Sequence, residues 1–378
     1  MRTSIRPTVA GIDLGAIRRN LKRISTTVAG SKVWAVIKAD AYGHGAVPVA
    51  RALANQCDAL AVSLVEEGLE LRAAGVTAPI VVLGAYYDHC HLRVLEATLV
   101  PVIYKASDLE SFSRAALRLG RSATTAGATP FDVHLKIDTG MSRLGIRPGD
   151  LPAVLDLAAT LPALRVAGLC THFASADAPS AHDTDTALAL FQRSIDLAVG
   201  RGLGPLTNHA ANSAAIPRFP AARMDAVRPG LALYGAMPPG AAAMPGLEPA
   251  LNLTTRIMAV RDIPAGSAVS YGGIWRAARP SRVATIPVGY ADGYPRHVRD
   301  AQVLVRGRRV PVVGAVCMDM LMVDVTDVPG AADEDVVTLI GRDGDREITV
   351  DDVAGWAGTV SYEILCGISK RVPRVYKD

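Results

Sequence analysis

Between Ser31 and about Gly235 the chain alternates short, continuous apolar runs with longer segments of helical periodicity. The runs are Val33–Ile37, Ala59–Ser63, Ile80–Leu83, Val100–Ile103, Val133–Ile137, Val166–Cys170, Leu206–His209 and Ala226–Arg228. Helix-like segments between them include Leu64–Ala74, Ser107–Leu119 and His182–Val199. A strand that is apolar on both faces must be covered on both faces. Helices between successive strands do this in βαβ units around a parallel sheet. Eight runs fit the length of one barrel, and no Gly-x-Gly-x-x-Gly follows the first. The pattern predicts an α/β fold with a closed (β/α)8 TIM barrel, not an open doubly wound sheet.

After the Pro/Gly/Ala-rich stretch Met237 to Pro249 the texture changes. Leu253–Val260, Arg282–Pro287, Gln302–Arg306, Arg309–Val316, Met322–Val325 and Val336–Ile340 read as closely spaced strands. Turn signals such as Pro264-Ala265-Gly266 and Arg306-Gly307-Arg308 separate them. Ile348–Ala357 and Tyr362–Leu365 read as short helices. The expected organisation is a barrel over residues 11–240 and a β-rich C-terminal domain over 241–378, which residues 1–10 would complete.

Composition narrows the classes. Of 378 residues, 50% are hydrophobic and 20% charged, with a net charge of +4. Such a chain buries a large core and is not globally disordered. Only 5% of residues are aromatic, so Ala, Val, Leu and Ile must build that core. No apolar run reaches the ~18 residues of a membrane span, and residues 1–13 lack a signal-peptide core. Five irregularly spaced cysteines fit a reduced, cytoplasmic chain. The small, dispersed charge gives no reason to expect nucleic acid.

In a (β/α)8 barrel, functional groups gather where the strands end, at the C-terminal face. Lys38 follows the first run, within Ala35-Val-Ile-Lys38-Ala-Asp-Ala-Tyr42-Gly-His-Gly45. Lys136, Asp138 and Arg143 follow the fifth. The sixth ends at Thr171-His172, the seventh at His209-Ala-Ala-Asn212-Ser213, and the eighth at Arg228-Pro-Gly230-Leu231. A lysine at a strand end is more often a snorkelling surface residue. Lys38, however, follows an apolar run and precedes glycines, so its amine should sit inside the barrel mouth. Desolvation there lowers an amine's pKa and suits it to a Schiff base with an aldehyde cofactor. Ser213, Gly230 and Leu231 fall where barrels of this kind hold phosphate; Ser213 reads equally well as a helix N-cap.

Taken together, these residues resemble the bacterial alanine racemase family over essentially the full chain. The Lys38 string matches closely. Val269-Ser-Tyr271-Gly, Pro287-Val-Gly-Tyr290-Ala-Asp-Gly293, Cys317-Met318-Asp319 and Tyr362-Glu363 match in the second domain. The resemblance implies an isomerase, dependent on pyridoxal 5'-phosphate, that interconverts L- and D-alanine and supplies D-alanine for peptidoglycan. It implies a homodimer with shared active sites. Lys38 would carry the cofactor and act as base on one face of the substrate. Tyr271, from the other subunit, would be the base on the opposite face. Tyr42, Ser213, Gly230, Leu231 and Tyr362 would hold the phosphate, His172 and Asn212 would also bind the cofactor, and Arg228 would face the ring nitrogen. His172 and His209 would support Arg228. Arg143 and the Met318 backbone would bind the substrate carboxylate, with Lys136, often carbamylated in the family, positioning Arg143. Tyr290, Cys317 and Asp319 would support the site. Two departures stand out. Ser142 replaces a common Gly, and Pro229, which has no N–H, precedes Gly230.

Competing readings are weaker. A decarboxylase on this fold would place a carboxylate at the ring nitrogen, where this chain has Arg228. A non-catalytic cofactor carrier needs no β-rich domain and no Tyr271. A metal-dependent hydrolase using a carbamylated Lys136 would need converging ligands, and the histidines lie on different strands. Asp88-His89-Cys90-His91 looks metal-like but reads as a solvated helix start. Asn252-Leu-Thr254 has no bearing without a secretory signal. Cys317 reads as a small buried strand residue.

Overall fold

The computed structural model describes residues 5–87, 89–124 and 127–378; Asp88 of the run just named lies outside them. Eight parallel strands close into a barrel: β2 (Lys32–Val36), β3 (Ala59–Val62), β4 (Ile80–Val82), β5 (Leu99–Ile103), β6 (Phe131–Lys136), β7 (Leu164–Cys170), β8 (His209–Asn212) and β9 (Ala226–Arg228). The ring shuts where Lys32 and Val33 pair with Ala226 and Val227. Every residue of β3 and β4 is buried, as a parallel strand covered on both faces requires. The covering helices include Val65–Ala73, Ala106–Arg118 and His182–Gly200. Phe112 and Phe191 are the largest fully buried side chains, among Ile and Leu.

The seventh barrel strand departs from the expected Leu206–His209. It begins at His209, because Asn208 satisfies the Leu169 N–H with its side-chain oxygen (3.1 Å) and not through a backbone ladder. His209 therefore opens its strand and lies deeper in the barrel than a strand-end residue.

A strand before the barrel, β1 (Val9–Asp13), belongs to the other sheet. Asp13 also caps the helix Leu14–Thr27, accepting the Ala16 N–H at 2.7 Å. The sheet is completed by β10 (Leu251–Arg256), β11 (Ala259–Ile263), β14 (Ser281–Ile286), β15 (Gln302–Val305), β16 (Arg308–Val313), β17 (Leu321–Asp324), β18 (Val336–Asp343) and β20 (Arg374–Lys377). Its order is β11-β14-β17-β16-β15-β18-β10-β1-β20. A short pair, β12 (Ala268–Val269) and β13 (Trp275–Arg276), stands apart, and β19 (Arg346–Ile348) pairs with β18. The expected single strand Leu253–Val260 is two. At Ile257 the backbone turns to bond the Asp335 carbonyl (2.9 Å), after which β11 pairs with β14. The expected helix from Ile348 starts at Val350, because Thr349 and Asp352 form a reciprocal cap (3.0 and 2.9 Å).

His91 does begin a helix, His91–Glu96, but it is not solvated. Its ring meets Phe112 edge-on at 4.6 Å and lies 3.7 Å from Asp108. Cys317 is half-buried in the loop between β16 and β17, not in a strand.

Candidate active site

Lys38 stands just beyond β2, at the C-terminal mouth of the barrel. The backbone after it is unusual: Ala39, Asp40, Ala41 and Tyr42 all have φ between 52° and 54°. The left-handed region costs an L-residue about 1–2 kcal/mol, so the fold must hold this turn from outside. Glu67 accepts the Ala39 N–H at 2.6 Å, while its other oxygen takes the Ser63 and Leu64 N–H groups. Asp40 accepts the Ala46 N–H at 2.6 Å. The buried His44 ring donates to the Ala41 and Tyr42 carbonyls (3.0 Å each) and stacks on Tyr234. At Gly43 (φ 79°) a Cβ would collide with the Leu365 carbonyl.

Lys38 lines a cavity of about 340 Å³ together with Lys136, Arg143, His172 and Arg228. Among the described residues no aspartate or glutamate lines it. Two lysines and two arginines around one acid-free space make a receptor for anions. Burial, reinforced by Arg143, lowers the Lys38 amine below its ordinary pKa. Burial also lowers Lys136. The His172 imidazole is pushed down to about 3 by burial and by the surrounding cations, so it is neutral. Arg143 sits past a tight loop in which Asp138 accepts the Gly140 and Ser142 N–H groups. Ser142 has φ 54°, a left-handed backbone that a glycine would adopt without strain.

Arg228 is buried, and its contacts are directional. Nη1 donates to His209 Nδ1 and to the His209 carbonyl, both at 2.7 Å. Nη2 donates to the carbonyls of Thr171 (2.6 Å) and Ala210 (3.0 Å). A guanidinium has five N–H donors. Four are thus engaged, and the Nε–H has no partner among the described residues. His172 lies in the same cavity but takes none of these bonds. Beneath His209 sits His134, a buried residue that strand-end reasoning passed over. Its signal was the polar residue at every second position of β6: Asp132, His134, Lys136.

Beside the cavity, Ser213 Oγ accepts the Gly230 and Ala232 N–H groups (2.9 and 3.2 Å), tying β8 to the loop after β9. Ser213 therefore is not a helix cap: the N-cap of the helix Ala215–Arg218 is Ala214, and it is Asn212 that accepts the Ala215 N–H, at 3.0 Å. Leu231 opens a short 3-10 turn, Leu231–Tyr234. A Cβ on Gly230 would strike the Tyr42 hydroxyl, and Tyr42 and Tyr362 face each other at 5.9 Å. Burial raises both phenols, Tyr362 to about 12, so both keep their protons and can donate.

The remaining predicted residues lie elsewhere. Tyr271, Cys317, Met318 and Asp319 line a second cavity, on the β-rich domain. Tyr290 and Ala291 donate their N–H groups to the Cys317 and Met318 carbonyls (3.0 Å each), which docks the two second-domain motifs on each other. Asp319 pairs with Arg371 at 2.8 Å.

Fold and site define a class: a (β/α)8 barrel with a lysine-bearing, acid-free cavity at its mouth, followed by a β-rich domain. The chain belongs to the alanine racemase family. The family's N-terminal domain model matches residues 12–238, and its C-terminal domain model residues 250–376. An alanine racemase of Symbiobacterium thermophilum is 44% identical, over 98% of this chain and 97% of its own length. One of Sorangium cellulosum is 42% identical, over 99% and 100%. The crystal structure of alanine racemase from Bacillus anthracis with bound L-Ala-P is 34% identical, covers 99% and 96%, and superposes with a TM-score of 0.88.

Proposed function

We propose that this chain interconverts L- and D-alanine with pyridoxal 5'-phosphate, as a cytoplasmic homodimer that supplies D-alanine for peptidoglycan. The observation that carries the reading is Lys38, a pKa-lowered amine inside an acid-free cavity that also holds Arg228 and Arg143. The residues fit the cofactor. The Tyr42 hydroxyl, which approaches the Gly230 backbone because that residue has no Cβ, the second protonated phenol and the Ser213 hydroxyl suit a phosphate. The spare Nε–H of Arg228 suits a ring nitrogen that accepts. When bound, the cofactor joins the substrate amine and draws electrons away from Cα, which makes the Cα proton removable.

Lys38 takes or returns that proton on one face. Arg143 holds the substrate carboxylate. It has no acidic partner among the described residues, and we assign that part to Lys136 as a carbamate. Arg228, always charged, would hold the ring nitrogen without giving it a proton, a setting that favours return of the proton to Cα over loss to side reactions. Removing a proton from either enantiomer requires a base on each face. Tyr271 of the partner subunit is assigned the second. Its exposure, and that of Ile274 and Met318 nearby, is what a subunit contact would cover. Among the described residues no helix is long and apolar enough to cross a membrane. Among the described residues, Arg228 and not a carboxylate stands in the cavity where a decarboxylase on this fold would place an acid, which speaks against decarboxylation.

The test is a chiral assay of alanine with the purified enzyme, followed by borohydride reduction. Racemisation in both directions, with the cofactor fixed to the peptide containing Lys38, is expected. Label on Lys136, or none, would overturn the assignment.

A further inference from the structure

Along β6, Asp132, His134 and Lys136 project into the barrel interior at three depths. Lys136 reaches the cavity at the C-terminal mouth. Asp132 and His134 line a different cavity, of about 430 Å³, with Lys32 and Arg165. His134 itself is buried, packed edge-on to Trp34 at 5.3 Å. Its Nδ1 lies 3.2 Å from His209 Nε2, and His209 Nδ1 lies 2.7 Å from Arg228 Nη1.

The direction of every bond in this chain follows from its first member. A guanidinium only donates. His209 Nδ1 must therefore accept and carry no proton. The proton of the neutral ring is then on Nε2, which donates to His134 Nδ1. That nitrogen accepts in turn, so His134 keeps its own proton on Nε2. Burial, with Arg228 adding to it, holds His209 well below an ordinary histidine, and His134 is lowered to about 4. Both rings are neutral, as the one-way chain requires.

We propose that His134 is a positioning residue for the reaction: by accepting from His209 it keeps the His209 lone pair aimed at Arg228, and so fixes the guanidinium. The proposal rests on the reading of Arg228 as the group at the cofactor ring. Without an acceptor at position 134, the buried His209 Nε2–H has no partner. That penalty falls on the tautomer whose lone pair faces Arg228, and narrows its advantage over the Nδ1–H form that opposes the Arg228 donor.

The test uses the cofactor-loaded enzyme with 15N-labelled histidine. In the wild type, a scalar coupling across the hydrogen bond should join His209 Nε2 to His134 Nδ1, with both rings protonated at Nε2. His134→Leu removes the acceptor, whereas His134→Asn restores an oxygen where Nδ1 stood. His134→Leu should shift His209 toward the Nδ1–H form and lower kcat ~10-fold or more, as expected for stranding a buried donor, with KM for alanine nearly unchanged. His134→Asn should recover kcat to within about threefold and restore the wild-type tautomer. Absence of the coupling in the wild type overturns the proposal. So does a coupled pair whose loss in His134→Leu leaves kcat unmoved. If His134→Leu does not fold, the wild-type coupling and the His134→Asn tautomer decide. Failure of the racemase reading would show separately, as no racemisation by the wild type.

Discussion

Lys38 and Tyr271 line different cavities of the same chain: the amine opens into the barrel mouth, and the phenol, 72% exposed, sits beside Met318 on the β-rich domain. The proposal that both are bases of one reaction joins them across a subunit boundary, and that is open to direct test. Lys38→Ala and Tyr271→Ala enzymes should each be inactive. Mixed, dissociated and reassociated, they should recover about a quarter of wild-type activity, because half of randomly paired twofold dimers carry one intact site. Tyr271→Ala alone should still exchange the α-proton of D-alanine with solvent, and not that of L-alanine. No recovery despite proven subunit exchange would place Tyr271 outside the shared site.

Arg228→Glu replaces a group that cannot give up its proton with one that can share it. Racemisation should fall ~10²–10³-fold, the range for losing a fixed electrostatic partner. A new long-lived visible absorbance and more transamination product should accompany the loss. Stopped-flow spectra and keto-acid analysis measure both; a normal rate with no new band would remove the electronic role.

Four histidines that burial keeps neutral give the protein an acid limit; His209 is lowered well below an ordinary histidine, with burial the leading cause. His44 and His134 are lowered to about 4, and His172 to about 3, with burial the leading cause. For His134, Arg228 adds to the shift and Asp132 opposes it. The unfolded chain binds protons below about pH 6.5 that the folded chain refuses. Stability should thus be full above pH 6.5 and decline as the pH falls toward 4, by up to ~3 kcal/mol per histidine. Unfolding midpoints from pH 7.5 to 4.5 should show this slope, and His134→Asn should flatten it.

Ser142 holds a left-handed backbone without being glycine. Ser142→Gly should stabilise the fold by about 0.5–1 kcal/mol, the relief of strain exceeding the entropy that glycine brings. Differential scanning calorimetry would register a higher midpoint. A lower one would mean that the side chain makes a compensating contact.

The barrel was legible because its strands are apolar on both faces and separated by helices, a pattern that survives without knowledge of tertiary contacts. The seventh strand was misplaced because His209-Ala-Ala-Asn212 has small residues between polar ends and looks nothing like Val-rich β4. The break at Ile257 was invisible because it depends on a carbonyl of Asp335, distant in sequence. Strand-end logic found Lys38, Lys136, Arg143 and Arg228, whose chemistry is exposed at a mouth. It passed over His134 and Glu67, which act from below and beside the site through bonds to His209 and to the Ala39 backbone. The identification of Tyr42, Tyr271 and Met318 came from resemblance alone, since no local pattern marks them.

The left-handed turn after Lys38 also dictates when the site can exist. Four residues in an unfavourable conformation cannot nucleate locally. Besides Glu67, Asp40 and His44, the turn has supports from afar: Arg374 donates to the Gly43 carbonyl at 3.0 Å, and Gly43 and Gly45 pack against Leu365 and Tyr376. A ribosome that has released every barrel strand has still not made these partners. The turn beside Lys38 therefore gains its full set of supports only once residues 365–376 have been made, well after the last barrel strand.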